Sequence, residues 1–150
     1  MEKENSDSFY HESKKLRKEV LELADLIKNK PMRFSVTNGI TMEVEVTKSD
    51  LKKIVSKNTS DNRFNVVKNM LAKDIRGFLE RGVYEGWREV VQGKHPETAY
   101  FVYYSQEYDV KVYLCVRKLR ATSLFKPYAM IDQSTFETES GNLRKNEPLD

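Results

Sequence analysis

The sequence predicts an α+β fold in which helices from the first half of the chain cover a sheet built mainly from the second half. Two observations carry this. Residues 94–132 read as three consecutive strands, Ala99–Ser105, Val110–Lys118 and Leu124–Ile131, in which Val110, Val112, Leu114 and Val116 alternate with Lys111, Tyr113, Cys115 and Arg117. A period of two marks a sheet with one face buried and one face in water. Residues 63–81 carry apolar side chains at three- and four-residue spacing, the stripe of a helix able to cover such a sheet.

In chain order, residues 1–8 are polar and read as a loose start. From Phe9 to about Asn29, Leu16, Val20, Leu23 and Ile27, with Leu21, Ala24 and Leu26 beside them, predict an amphipathic helix. Pro31 ends it, because the residue before a proline is pushed out of the helical region. That helix either packs on the domain or mediates association. Met32–Thr37 and Ile40–Val46 flank Asn38-Gly39, the signature of a β-hairpin with a type I′ turn. Ile40, Met42, Val44 and Val46 point one way, into the core, and Thr41, Glu43 and Glu45 point to water.

Thr47 or Ser49 can cap a short helix through Leu51, Ile54 and Val55, with Asp50 favourably placed in its first turn. After a loop over 58–62, Phe64, Val67, Met70 or Leu71, Ile75, Phe78 and Leu79 predict one long helix over 63–81, closed by Gly82 at C′. Residues 83–96 hold two glycines, Trp87 and a proline with no clean period, and read as an irregular connection with Trp87 as a core plug. Beyond Ile131 the chain is polar and acidic, the composition of an extended or flexible tail. The division is therefore an N-terminal helix with a loose start over 1–31, an α+β core over 32–131 and a tail over 132–150.

A chain of 150 residues can bury a substantial core in one domain. Its net charge of +3 divides into 0, +6 and −3 over residues 1–30, 31–131 and 132–150, so the core is basic and its tail acidic. That distribution suits an anionic partner. A single cysteine excludes an intramolecular disulfide and a multi-cysteine metal site, and mid-strand Cys115 reads as a small packing residue. No apolar run approaches the roughly 20 residues of a membrane span, and the charged start does not resemble a signal peptide. The expectation is a cytoplasmic protein with no membrane contact. There is no Walker loop, GxGxxG or GxSxG, and His11 and His95 are the only histidines, so no cofactor and no metal are expected. Glu43/Glu45 and Glu107/Asp109 read as solvated charges.

The remaining chemistry lies on the wet face of the strand triplet. Lys111, Tyr113 and Arg117 alternate onto one face of the middle strand, Arg120 follows it, and Lys126 and Tyr128 lie on the next strand. Tyr100 and Tyr104 join them if the preceding strand presents the same face. Cations neutralise phosphate and aromatic rings stack on unpaired bases, so this surface suits RNA. It also holds the parts of a metal-independent ribonuclease. His95 is the residue with a suitable pKa for general acid–base work, and Arg117 and Lys126 would stabilise the phosphorane charge. The candidate catalytic set is His95, Arg117 and Lys126; the candidate RNA-binding set is Lys111, Tyr113, Arg120 and Tyr128.

A helix pair followed by an antiparallel sheet, with Ser56-Lys57 after the hairpin, Lys94-His95 before the first long strand, and the strands YFVYY, VKVYLCV and FKPYAMI, resembles the accessory domains of large polyvalent proteins of phages and conjugative elements. Those are similar in layout to the barnase–EndoU–colicin–RelE class of nucleases. The resemblance covers residues 33–131 and implies an RNA-directed, metal-independent activity, or a degenerate form of it, in a mobile-element effector. Lys94-His95, Arg117 and Lys126 are the positions onto which that activity would carry. The chain departs from that pattern at Asn62-Arg63-Phe64, where a second histidine would stand, and the departure favours a binder without catalysis. Two main readings stay open: an RNA-binding domain, with RNA cleavage as its catalytic version, and a non-catalytic interaction module, an inhibitor or adaptor working through the N-terminal helix, the basic face or the acidic tail. A DNA-binding regulator is a third, without a helix-turn-helix signal to support it.

Overall fold

The structure, a computed structural model, describes residues 2–89, 97–141 and 143–144, with side chains from residue 8 onward. It is α+β. The chain runs α1 (Glu2–Leu26), β1 (Met32–Asn38), β2 (Ile40–Val46), α2 (Lys48–Ser56), α3 (Asn62–Ala72), α4 (Ile75–Arg81), β3 (Val83–Glu89), β4 (Glu97–Ser105), β5 (Val110–Lys118), β6 (Phe125–Ile131) and α5 (Gln133–Glu139). One six-stranded sheet has the order β1-β2-β6-β5-β4-β3. Strands β3 to β6 form a four-stranded antiparallel meander, and the hairpin joins it through a short parallel contact at Val44 and Phe125. The expected three-stranded meander is thus one strand short of the observed one.

Helix α1 packs along α2 and α3 and is part of the domain. Val20 and Ala24 enter the core from its inner side, and Ile27 follows just past its end. In the seam with α3, the Asn69 amide donates to the Ser13 carbonyl at 3.0 Å. Beside it Lys68 is completely buried, its ammonium donating to the Lys57 carbonyl. Burial, reinforced by Arg17, pulls the Lys68 pKa down to about 8.

The hairpin forms over the expected residues, but with neither the expected turn nor its register: Thr37 pairs with Thr41 and Asn38 with Ile40. Only Gly39 adopts a positive φ, at 75°, whereas a type I′ turn needs two such residues. Asn38 is held otherwise: its side-chain amide donates to the carbonyls of Leu79 and Gly82, each at 2.7 Å. Glycine is required at 39 for a second reason, since a Cβ there would lie 2.2 Å from the Tyr84 ring.

Thr47 caps α2 through a reciprocal capping box with Asp50. The long helix expected over 63–81 is two helices. Asp74 leaves helical geometry and caps a new helix, its carboxylate accepting from the Gly77 N–H at 3.0 Å. The last turn of α3 tightens as the Lys73 and Asp74 N–H groups donate to Met70 and Leu71. An aspartate inside an apolar stripe is a capping residue when its side chain outcompetes the ladder. The break lets α3 lie on β5 and α1 while α4 covers β1 and β4. Gly82 is the extended cap residue of α4 rather than a left-handed C′ residue, and a Cβ there would lie 2.7 Å from the Phe78 carbonyl.

Residues 83–89, expected to be irregular, form edge strand β3. Its alternation is hidden by a bulge between Tyr84 and Gly86, with Gly86 at φ 119°. Trp87 is buried in the core, as its composition context predicts. The tail also differs from expectation: Asp132 caps α5, accepting from the Thr135 N–H at 2.8 Å. This short helix lies on β5, on the face opposite the other helices.

Candidate nucleic-acid interface

Register places the outward side chains of all six strands in one transverse row. Arg88 on β3 pairs with Thr98 on β4, Thr98 with Arg117 on β5, and Arg117 with Lys126 on β6. Lys126 reaches Glu45 on β2 at 3.5 Å, and Glu45 pairs in register with Arg33 on β1. Strands lie about 4.8 Å apart, so Arg88 and Lys126 are roughly 14 Å apart at the backbone.

The two ends of the row differ electrostatically. Lys126 is held by Asp50 at 2.9 Å and by Glu45 at 3.5 Å, and Arg33 binds Glu45 at 2.8 Å. Burial opposes the Glu45 carboxylate, but Arg33 and Lys126 outweigh it and hold its pKa below the ordinary value. At the other end, neither Arg88 nor Arg117 has a carboxylate within ion-pair distance among the described residues. Arg88 donates to the Tyr100 hydroxyl at 2.7 Å. Arg117 stacks its guanidinium 3.6 Å from the centre of the Tyr128 ring. Its Nε is buried without a hydrogen-bond partner among the described residues, and so is the hydroxyl of neighbouring Thr98. Buried donors normally find partners, and here two adjacent residues leave theirs open.

Helix α5 lies over the aromatic part of this face. Phe136 stacks on Tyr113, with centroids 4.0 Å apart and planes 8° from parallel, and meets Tyr100 edge-on at 5.2 Å. Glu139 accepts from the Tyr100 hydroxyl at 3.3 Å and lies 3.9 Å from the Cys115 sulfur. Burial pushes the Tyr100 phenol up to about 12, and also raises the Tyr128 phenol and the Cys115 thiol above their ordinary values. These groups stay protonated near neutrality, so none is a general base or an activated nucleophile.

Of the residues predicted from sequence, Arg117, Lys126 and Tyr128 come together. The rest separate. Tyr113 faces outward but is covered by Phe136, so the middle strand is not wet along its whole length; only 5% of Tyr113 is exposed. Lys111 is exposed at the far end of β5, six residues from Arg117, or about 20 Å along the strand. Arg120 is exposed in the β5–β6 turn, beyond the end of the row. Tyr104 is outward too, but at the Lys111 end, and donates to Asp109. His95 and Lys94 lie outside the described residues.

Sequence reasoning missed Arg88, because the bulge disguised its strand, and Thr98, Phe136 and Glu139. Phe136 as the only aromatic residue in an acidic tail, four positions after a capping aspartate, was the available signal. Close to Lys126, a groove of about 610 Å³ opens between the end of α1 and the start of α2, lined by Lys28, Lys48, Lys52 and Lys53. The Thr47–Asp50 capping box stands between the two features.

No protein-family model, curated protein or solved structure matches the chain. Among the described residues, no helix is long and apolar enough to cross a membrane.

Proposed function

We propose that the outer face of the sheet binds single-stranded RNA, with phosphate held at the Arg88–Thr98–Arg117 end of the transverse row. The observation that carries this reading is that Arg88 and Arg117, both part-exposed and two strands apart on the row, have no carboxylate within ion-pair distance among the described residues. A guanidinium matches two oxygens of one phosphate, and Arg88 supplies a second cation across the buried Thr98 between them. Lys126 adds positive potential, though two carboxylates already neutralise it.

Binding is favoured over cleavage. A ribonuclease needs an acid–base pair as well as cations beside the reacting phosphate. Arg117 and Arg88 can supply the cations, but Lys126 is committed to Asp50 and Glu45 and Tyr100, Tyr128 and Cys115 hold their protons, so these groups supply no base. The catalytic version rests on His95, and RNA incubated with the protein in EDTA tests it: product lost on His95→Ala would establish cleavage, and intact RNA would exclude it.

Anisotropy of a labelled single-stranded RNA tests the binding reading. Affinity should fall about tenfold or more in Arg117→Ala, in line with the loss of a charge-assisted, partly desolvated contact. For two to three neutralised phosphates the slope of log affinity against log salt should be about −1.4 to −2.1. A salt-independent signal, or one indifferent to Arg117, would contradict the proposal.

A further inference from the structure

Helix α5 brings two chemistries to the outer face, and both are those of a nucleotide. One is a flat ring stacked on a tyrosine, Phe136 on Tyr113 at 4.0 Å. The other is an anion beside an arginine-bound hydroxyl, Glu139 at 3.3 Å from the Tyr100 oxygen that also accepts from Arg88. The two lie three residues apart on one helix face, so one short segment places both. The helix itself is short. It has seven residues, and among the described residues none of them is fully buried. The chain is fastened beyond it, where Arg144 exchanges two backbone hydrogen bonds with Trp87. Between helix and anchor stands Gly141 at φ 57°, with open space around it. By contrast, the surface beneath is fixed by the sheet: Tyr100 and Tyr113 lie on adjacent central strands β4 and β5.

We infer that Tyr113 and Tyr100 form a subsite for one unpaired nucleobase, filled here by Phe136 of the chain's own tail, with Glu139 standing where the attached phosphate would lie. This rests on the RNA reading of the same face and extends it. Phosphate binds at Arg88 and Arg117, and the neighbouring base replaces Phe136 on Tyr113. A ring stacked in cis competes with a ring stacked in trans, so apparent affinity is lowered by the fraction of molecules whose subsite is closed. Aromatic stacking of this kind implies an effect of about threefold to tenfold.

Single-stranded RNA binding is compared in the full-length protein, in Phe136→Ala, in Glu139→Gln and in Glu107→Gln. The last makes the same charge change in the β4–β5 turn. Phe136→Ala and Glu139→Gln should each bind about three- to tenfold more tightly than the wild type, and Glu107→Gln should gain less than either. Thermal melts show whether Phe136→Ala remains folded, and Glu139→Gln tests the inference if it does not. Arg117-dependent binding that is unchanged or weakened in both tail variants would overturn the inference and leave the RNA reading standing. Absence of binding in the wild type and both tail variants would overturn the two together.

Discussion

Replacing Lys68 with methionine should make the protein more stable at neutral pH, although it removes a hydrogen bond. The ammonium is completely buried, with a backbone carbonyl as its acceptor. Burial lowers its pKa from 10.5 to about 8. At 1.36 kcal/mol per pH unit, that interval corresponds to about 3 kcal/mol held against folding whenever the group is charged in both states. Methionine keeps most of the apolar stem and has no charge to desolvate. It strips the Lys57 carbonyl of its donor, which costs about 1–2 kcal/mol. The net expectation is a gain of about 1–2 kcal/mol at pH 7, or about 2–8 °C in Tm for a domain of this size. Between pH 8 and 10.5 the unfolded wild type binds more protons at this position than the native state does, so wild-type stability from this residue rises with pH. The advantage of Lys68→Met should therefore shrink across that window and reverse near its top. Urea unfolding of both proteins at pH 7, 8.5 and 10 measures it. A methionine variant less stable at pH 7, or a difference that does not change with pH, would refute the reasoning.

Three further outcomes follow from local geometry. Asp74→Ala removes the cap that separates α3 from α4, and should cost about 1 kcal/mol in urea unfolding without abolishing the fold. Gly39→Ala forces a Cβ into the Tyr84 ring at an already positive φ, so it should cost more than the roughly 1 kcal/mol of strain alone; a melt within one degree of wild type would contradict that. Cys115 is buried with its thiol pKa raised by burial, so a thiol reagent at pH 8 should label it at the rate at which the sheet opens, and labelling should speed up in sub-denaturing urea.

The parts of the fold legible in sequence were those where one physical signal acted alone. Alternating valines defined β5, and Thr47 with Asp50 started α2; α1 ends at Leu26, short of the Asn29 to which Pro31 was expected to let it run. Where two signals overlapped, the stronger pattern hid the weaker one. The apolar stripe over 63–81 runs on through Asp74, so a helix-to-helix break looked like one helix. The bulge at Gly86 shifts the alternation of β3 by one residue and leaves a strand that reads as loop. At the candidate site, Arg117, Lys126 and Tyr128 were legible because strand periodicity fixes which face a side chain takes. Their contacts were not, since they depend on register between strands distant in sequence: Arg88 with Thr98, and Lys126 with Asp50. The burial of Tyr113 depends on α5, whose short polar sequence shows a cap and one phenylalanine and little else.

The central claim is that RNA phosphate binds at the Arg88–Thr98–Arg117 end of the row. Backbone amide shifts during titration of the full-length protein with a short single-stranded RNA test it most directly. The account predicts that the largest shifts fall on Arg88, Thr98 and Arg117, with secondary shifts over α5 as it is displaced, and that added salt reverses them. Shifts confined to Lys48–Ser56 beside the lysine-lined groove, or none at all, would contradict it.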